Sequence, residues 1–123
     1  MYKVMILIKR RAGMSMEEFI DYYESHHAIL GASTLPMMTS YVRHYLTPLG
    51  SHVRDPAEEL PYDVVTEITF ADESAFQEAM TTLAAPETAD KIVADEERLF
   101  DRSTITFTQV EDRATDMTRY ARR

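Results

Sequence analysis

Along this chain the spacing of apolar positions switches between every second residue and every third or fourth, and the switches mark out its elements. Residues 2–9 alternate, with Tyr2, Val4, Ile6 and Ile8 on one side and Lys3, Met5, Leu7 and Lys9 on the other, which is the pattern of a strand. Both sides are apolar at mid-strand, so it belongs at the centre of a sheet with cover on both faces. Ser15 and Glu18 have the spacing of a capping box, and Met16, Phe19, Ile20, Tyr23 and Leu30 follow at helical intervals, with Gly31 as a stop signal. A second alternation covers 41–46, where Tyr41, Arg43 and Tyr45 oppose Val42, His44 and Leu46. Residues 48–61 hold three prolines and a glycine, and a stretch of this length is either a functional lid or a disordered excursion. A third strand pattern covers 63–70, with Val64, Thr66, Ile68 and Phe70 opposite Val65, Glu67 and Thr69. Asp72 caps a helix striped by Phe76, Ala79, Met80 and Leu83. Pro86 opens another, with Ala89, Ile92 and Val93 inward and Glu87, Asp90, Asp95, Glu97 and Arg98 outward. A last strand pattern covers 103–110.

The order strand, helix, strand, strand, helix, strand predicts an α+β fold: a ferredoxin-like βαββαβ antiparallel sheet, ordered 4-1-3-2, with helices on one face. Because the strands are apolar or aromatic on both sides, the uncovered face calls for a homodimer in which two sheets pack together, a dimeric α+β barrel. The 123 residues make one domain, 1–112, followed by a tail, 113–123.

Charge and composition narrow the function. A net charge of −8 argues against nucleic acid, whose binding needs a basic face. Four arginines against Asp116 give the tail +3 and leave −11 on the rest, the balance of a solvated or partner-contacting terminus. The absence of cysteine removes disulfides, thiolate nucleophiles and zinc-thiolate sites. Three glycines cannot build a phosphate loop. The apolar run near the start is too short to span a membrane and has no cleavage site after it, so a cytoplasmic protein is expected. No histidine and carboxylate spacing suits a metal, and none is expected.

His26 and His27 are the leading acid/base candidates, since imidazole titrates near neutrality and the C-terminal end of their helix favours the protonated form. His27 lies on the apolar face, and His26 about 100° away beside Tyr22. Asp101 either orients a histidine or bonds to the Ser103 amide. Glu67, on a face that should be covered, forms a cross-strand ion pair with Arg43 or serves as a pocket acid. Tyr41 and Tyr45 offer flat apolar surfaces and phenol donors to a ring-shaped ligand, or are bland core aromatics.

Several segments together resemble the EthD family of the dimeric α+β barrel superfamily: Lys3–Arg10, Met14–Phe19, Tyr22-Tyr23-Glu24-Ser25-His26-His27-Ala28 and Glu97-Arg98-Leu99-Phe100-Asp101. Tyr23 stands where the family usually has Trp, and Ile29 where Pro often follows. The resemblance implies a homodimer acting on cyclic or aromatic molecules without metal or organic cofactor, as in similar polyketide cyclases, decarboxylases and a methylisomerase. It implies that residues aligned with His26 and Tyr41 line a site. The methylisomerase's cysteine falls at Ile68, so that isomerisation is not expected here. Two function classes follow: a cofactor-free cyclase, dehydratase, decarboxylase or isomerase, or a non-catalytic ligand-binding or accessory dimer. Haem binding, a third, would need an accessible axial histidine.

Overall fold

With apolar side chains on both faces, Tyr2–Arg10 (β1) takes the interior position that its pattern demands. In the computed structural model, which describes residues 1–122, it pairs antiparallel with Val64–Phe70 (β3) on one side and Phe100–Gln109 (β4) on the other. Met38–Tyr45 (β2) pairs with the far edge of β3, so the sheet order is β2-β3-β1-β4, the expected order read from the opposite edge. Between β1 and β2 run Met16–Tyr22 (α1), a wider turn at Tyr23–His27 and Ala28–Thr34 (α2); between β3 and β4 run Glu73–Ala84 (α3) and Pro86–Glu96 (α4). The fold is α+β and ferredoxin-like.

The start signals act as the sequence indicates. The Glu18 amide donates to Ser15 Oγ at 3.1 Å and the Ser15 amide to Glu18 Oε1 at 3.2 Å, closing the capping box. Asp72 Oδ1 accepts from the Ala75 amide at 2.9 Å, and Pro86 is the first residue of α4, where its missing N–H costs nothing.

Three boundaries differ. The first helix does not stop at Gly31 but continues to Thr34. β4 begins at Phe100, and β2 begins at Met38 because an irregularity between Met38 and Ser40 inserts a residue. That extra residue turns Met38 and Tyr41, three apart, toward the same side of the sheet, which strict alternation would forbid.

Helices cover the face carrying Val4, Ile6 and Ile8, and the core beneath them has two parts. Phe19, Tyr23, Val64, Leu99 and Phe100 form one, and Leu35, Ile68, Phe70 and Ala79 the other. The opposite face carries Met5, Leu7, Val42 and Val65 among Lys3, Lys9, His44 and Glu67. Residues 46–63 hold no helix or strand, and Leu49 and Val53 in that stretch are exposed. The stretch is anchored at its end by buried Asp63, which accepts from the Arg10 amide and guanidinium, each at 2.9 Å. Beyond β4, the tail makes a 3-10 turn at Met117–Tyr120, capped by Asp116; Arg123, counted with the basic tail, lies outside the described residues.

Candidate functional site

The site is built on a helix whose face runs Phe19, Tyr23, His27, Gly31, Leu35, each four residues on from the last. At 3.6 residues per turn each such step advances about 40°, so an unbroken α-helix would carry this row about 160° around its axis. The turn at Tyr23–His27 closes with the Ala28 amide donating to the Tyr23 carbonyl, an i to i+5 bond, and this wider turn takes back part of the drift. Phe19 and Tyr23 therefore still face one core cluster when Leu35 reaches the other.

Between the two clusters is a cavity of about 80 Å³, counted as the space open to the centre of a water molecule. Tyr23, His27, Gly31 and Leu35 line it from the helix, with Tyr41, Thr66, Ile68 and Phe70 from the sheet. Phe76, Met80 and Leu83 of α3 and Ile92 and Glu96 of α4 complete much of the wall. The cavity lies between the helices and the sheet of one chain.

His27 is 8% exposed, and its Nδ1 meets Asp95 Oδ2 at 2.7 Å. A carboxylate can only accept, so Nδ1 carries the proton and Nε2 of the neutral ring keeps its lone pair. Among the described residues Nε2 has no hydrogen-bond partner, and it is not sealed from solvent. The ring is held edge-on by Tyr23 and Phe100, with centroids 5.4 and 5.1 Å away. Asp95 is itself fixed, since its Oδ1 accepts from the Tyr22 hydroxyl. Burial, then this carboxylate, pushes the Tyr22 phenol up.

Beside Asp95, Glu96 turns into the cavity wall, and its Oε1 accepts from Arg102 Nε at 3.4 Å. Burial raises its carboxyl above the ordinary glutamate range, with nearby His27 pulling the other way. Tyr23 shares a 2.7 Å hydrogen bond with Thr66 Oγ1, and burial raises the Tyr23 and Tyr41 phenols. One imidazole, one carboxyl, two phenols and a hydroxyl thus meet in a space otherwise walled by hydrocarbon. Such an array can move a proton and hold the oxygen on which charge develops.

The residues singled out from the sequence separate. His27 and Tyr41 line the cavity, as does Ile68. His26 does not: it is exposed, stacked on Tyr22 with centroids 4.5 Å apart, and its Nδ1 meets Ser25 Oγ at 2.8 Å. Asp101 orients no histidine; it accepts from the Ser103 amide and hydroxyl at the surface. Arg43 and Glu67 do not pair, because they project from opposite faces of the sheet. Arg43 donates from Nε and Nη2 to Glu24 at 2.9 and 2.6 Å, while Glu67 lies 3.4 Å from His44. Tyr45 also donates to Glu24, so Arg43 and Tyr45 tie the β2 edge to the helix. The Arg43 guanidinium holds the Glu24 carboxyl below its usual range. Since the helix runs on to Thr34, His27 is mid-helix and its polarisation comes from Asp95, not from a helix end.

Asp95 and Glu96 were the residues to find. Asp95, expected outward, lies three positions after Ile92, and Glu96 four, so all three share a helix face. That spacing was the available signal.

Comparison with known proteins agrees with this architecture. A family model described as the EthD domain matches residues 11–103. An ethyl tert-butyl ether D (EthD) family protein from Bacillus halodurans superposes with a TM-score of 0.61 at 18% identity, covering 92% of this chain and 100% of that one. HapK from Hahella chejuensis gives 0.61 at 15% identity, covering 94% and 95%. A dimeric ferredoxin-like protein of unknown function from Thermobifida fusca gives 0.53 at 14% identity, covering 89% and 88%. No curated protein matches the chain at a significant level. With three quarters of its length matched by that model and the same helix-and-sheet framework in these structures, the chain belongs to the EthD domain family.

Proposed function

We propose that this protein is a small-molecule enzyme carrying out acid/base chemistry without a cofactor on a cyclic, aromatic or polyketide-like substrate held in the helix–sheet cavity. The observation that supports this is His27, which lines the cavity with its Nδ1 tied to Asp95 and its Nε2 without a hydrogen-bond partner among the described residues. In this scheme Nε2 removes a proton from carbon next to a carbonyl, or from a phenol. Asp95 stabilises the imidazolium that forms, and the Tyr41 hydroxyl donates to the enolate oxygen. The proton then returns to a different position, or a neighbouring bond breaks, giving isomerisation, cyclisation, dehydration or decarboxylation.

Two copies join through the uncovered sheet face, where Leu7, Val42 and Val65 would otherwise meet water. Thr106 and Thr108 extend that face on β4.

Proton abstraction has a signature that does not depend on knowing the natural substrate: carbon-bound hydrogen exchanges with solvent deuterium. With 1-tetralone in D₂O, the protein accelerates exchange at the position next to the carbonyl, and His27→Ala loses about 10²-fold or more of that acceleration. Exchange equally fast with His27→Ala would overturn the assignment. Exchange never above the buffer rate would favour the ligand-binding reading.

A further inference from the structure

The two ends of the cavity differ in chemistry. Tyr23 belongs to one core cluster and brings His27 and Thr66 beside it, with Glu96 near His27; the other cluster supplies Leu35, Met38, Phe70, Phe76, Met80 and Leu83, and Tyr41 packs against both. A ligand that fills both ends needs a small polar head and an apolar body. The charge of that head is set by what the wall lacks. Among the described residues, no lysine or arginine lines the cavity.

The nearby cations are each already paired with a carboxylate. Arg43 is held by both oxygens of Glu24, and Arg102, 45% exposed, reaches Glu96 from outside. His27 is the one lining group able to become positive, and Asp95 already answers that charge at 2.7 Å. Glu96 adds a carboxyl whose Oε2 has no partner among the described residues. An anionic head would therefore enter a site of zero or negative balance and lose its hydration shell on the way. A hydroxyl or amide could instead donate to Glu96 and accept from a phenol, satisfying both sides.

We infer that the cavity selects a ligand with an uncharged hydroxyl- or carbonyl-bearing head, and that Glu96 excludes carboxylates and phosphates of the same shape. The inference rests on the cavity being the functional site, and it deepens the proposed function by naming the charge class of the substrate, which narrows the reactions to isomerisation, cyclisation and dehydration and removes decarboxylation.

The test uses three probes of one shape: 4-propylphenol, 4-propylbenzamide and 4-propylbenzoate. Each is titrated at neutral pH into the full-length protein, and binding is followed through the Met80 methyl resonance. The phenol and the amide are expected to bind at least roughly tenfold more tightly than the benzoate. Glu96→Gln is expected to bring benzoate binding within about threefold of the amide. Benzoate binding as tight as that of the neutral probes, a gap that Glu96→Gln leaves unchanged, or no shift by either neutral probe at millimolar concentration overturns the inference. Neutral selectivity without deuterium exchange on 1-tetralone would uphold it while removing the proton-transfer function. Exchange together with a preference for benzoate would do the reverse.

Discussion

Replacing Asp95 with Asn keeps the shape of the side chain and removes its charge, which isolates what that charge does. The wild-type carboxylate accepts from two donors at once, His27 Nδ1 at 2.7 Å and the Tyr22 hydroxyl. Bonds to a charged acceptor contribute about 1.5–3 kcal/mol and neutral ones about 0.5–1.5, so the two losses together come to roughly 2–3 kcal/mol. Asp95 also sits in the last turn of α4, where a negative charge opposes the helix dipole, and neutralising it returns about 0.3–1 kcal/mol. The net cost is about 1–2 kcal/mol, which for a chain of this length lowers Tm by roughly 4–8 °C. The amide has one acceptor oxygen where two donors compete, so His27 is no longer held with its proton on Nδ1. Long-range ¹H–¹⁵N spectra distinguish the tautomers: the parent shows the Nδ1–H form, and Asp95→Asn shifts His27 toward the Nε2–H form that free imidazole side chains prefer. A parent spectrum with the proton on Nε2, or a variant unchanged in both tautomer and Tm, would refute the reasoning.

Glu96→Gln probes the neighbouring carboxyl. Its raised folded pKa means that the charged form costs stability; the cost is absent below the ordinary value of about 4.3, grows as pH rises through the folded pKa, and is full above it. Glu96→Gln is therefore more stable than the parent at neutral pH and equal to it in acid, and melting curves across pH that show a gain shrinking on the way up would contradict this. At Gly31 an added Cβ would lie 2.9 Å from the Tyr41 hydroxyl oxygen and 3.3 Å from its ring. Gly31→Ala gains about 1 kcal/mol of helix propensity, and the clash falls on the free end of a side chain, so Tm stays within about 4 °C while the Tyr41 resonances move; a much larger fall would mean that the ring cannot yield. Leu7→Glu places a charge at the centre of the uncovered face, and sedimentation should then give the mass of one chain where the parent gives two; equal masses would remove the dimer interface proposed there.

Much of the fold was legible because the signals were local. The capping box, Asp72, Pro86 and the alternations of β1 and β3 each act within a few residues, and the order of elements then left little choice of topology. The site was harder to read because its partners come from far apart in the chain. His27 stood out on its helix face, but its carboxylate is 68 positions away, and the nearer-looking choice, Asp101, follows α4 and bonds to Ser103 at the surface. Arg43 and Glu67 illustrate a different limit. Adjacent strands suggested a pair, but the register opposes Arg43 to Thr66, which sends the two charges to opposite faces. Met38 escaped because the inserted residue at the start of β2 hides it from any count by twos.

The wider turn at Tyr23–His27 divides one rod into two pieces whose rotational phases are set separately. Phe19 locks the first, and the glycine that admits Tyr41 locks the second. Losing a single residue between them, such as exposed Ser25, would twist everything downstream by about 100°, carrying Gly31 and Leu35 away from the chamber. Point changes on that segment's outer surface should be forgiven far more readily than any change in its length.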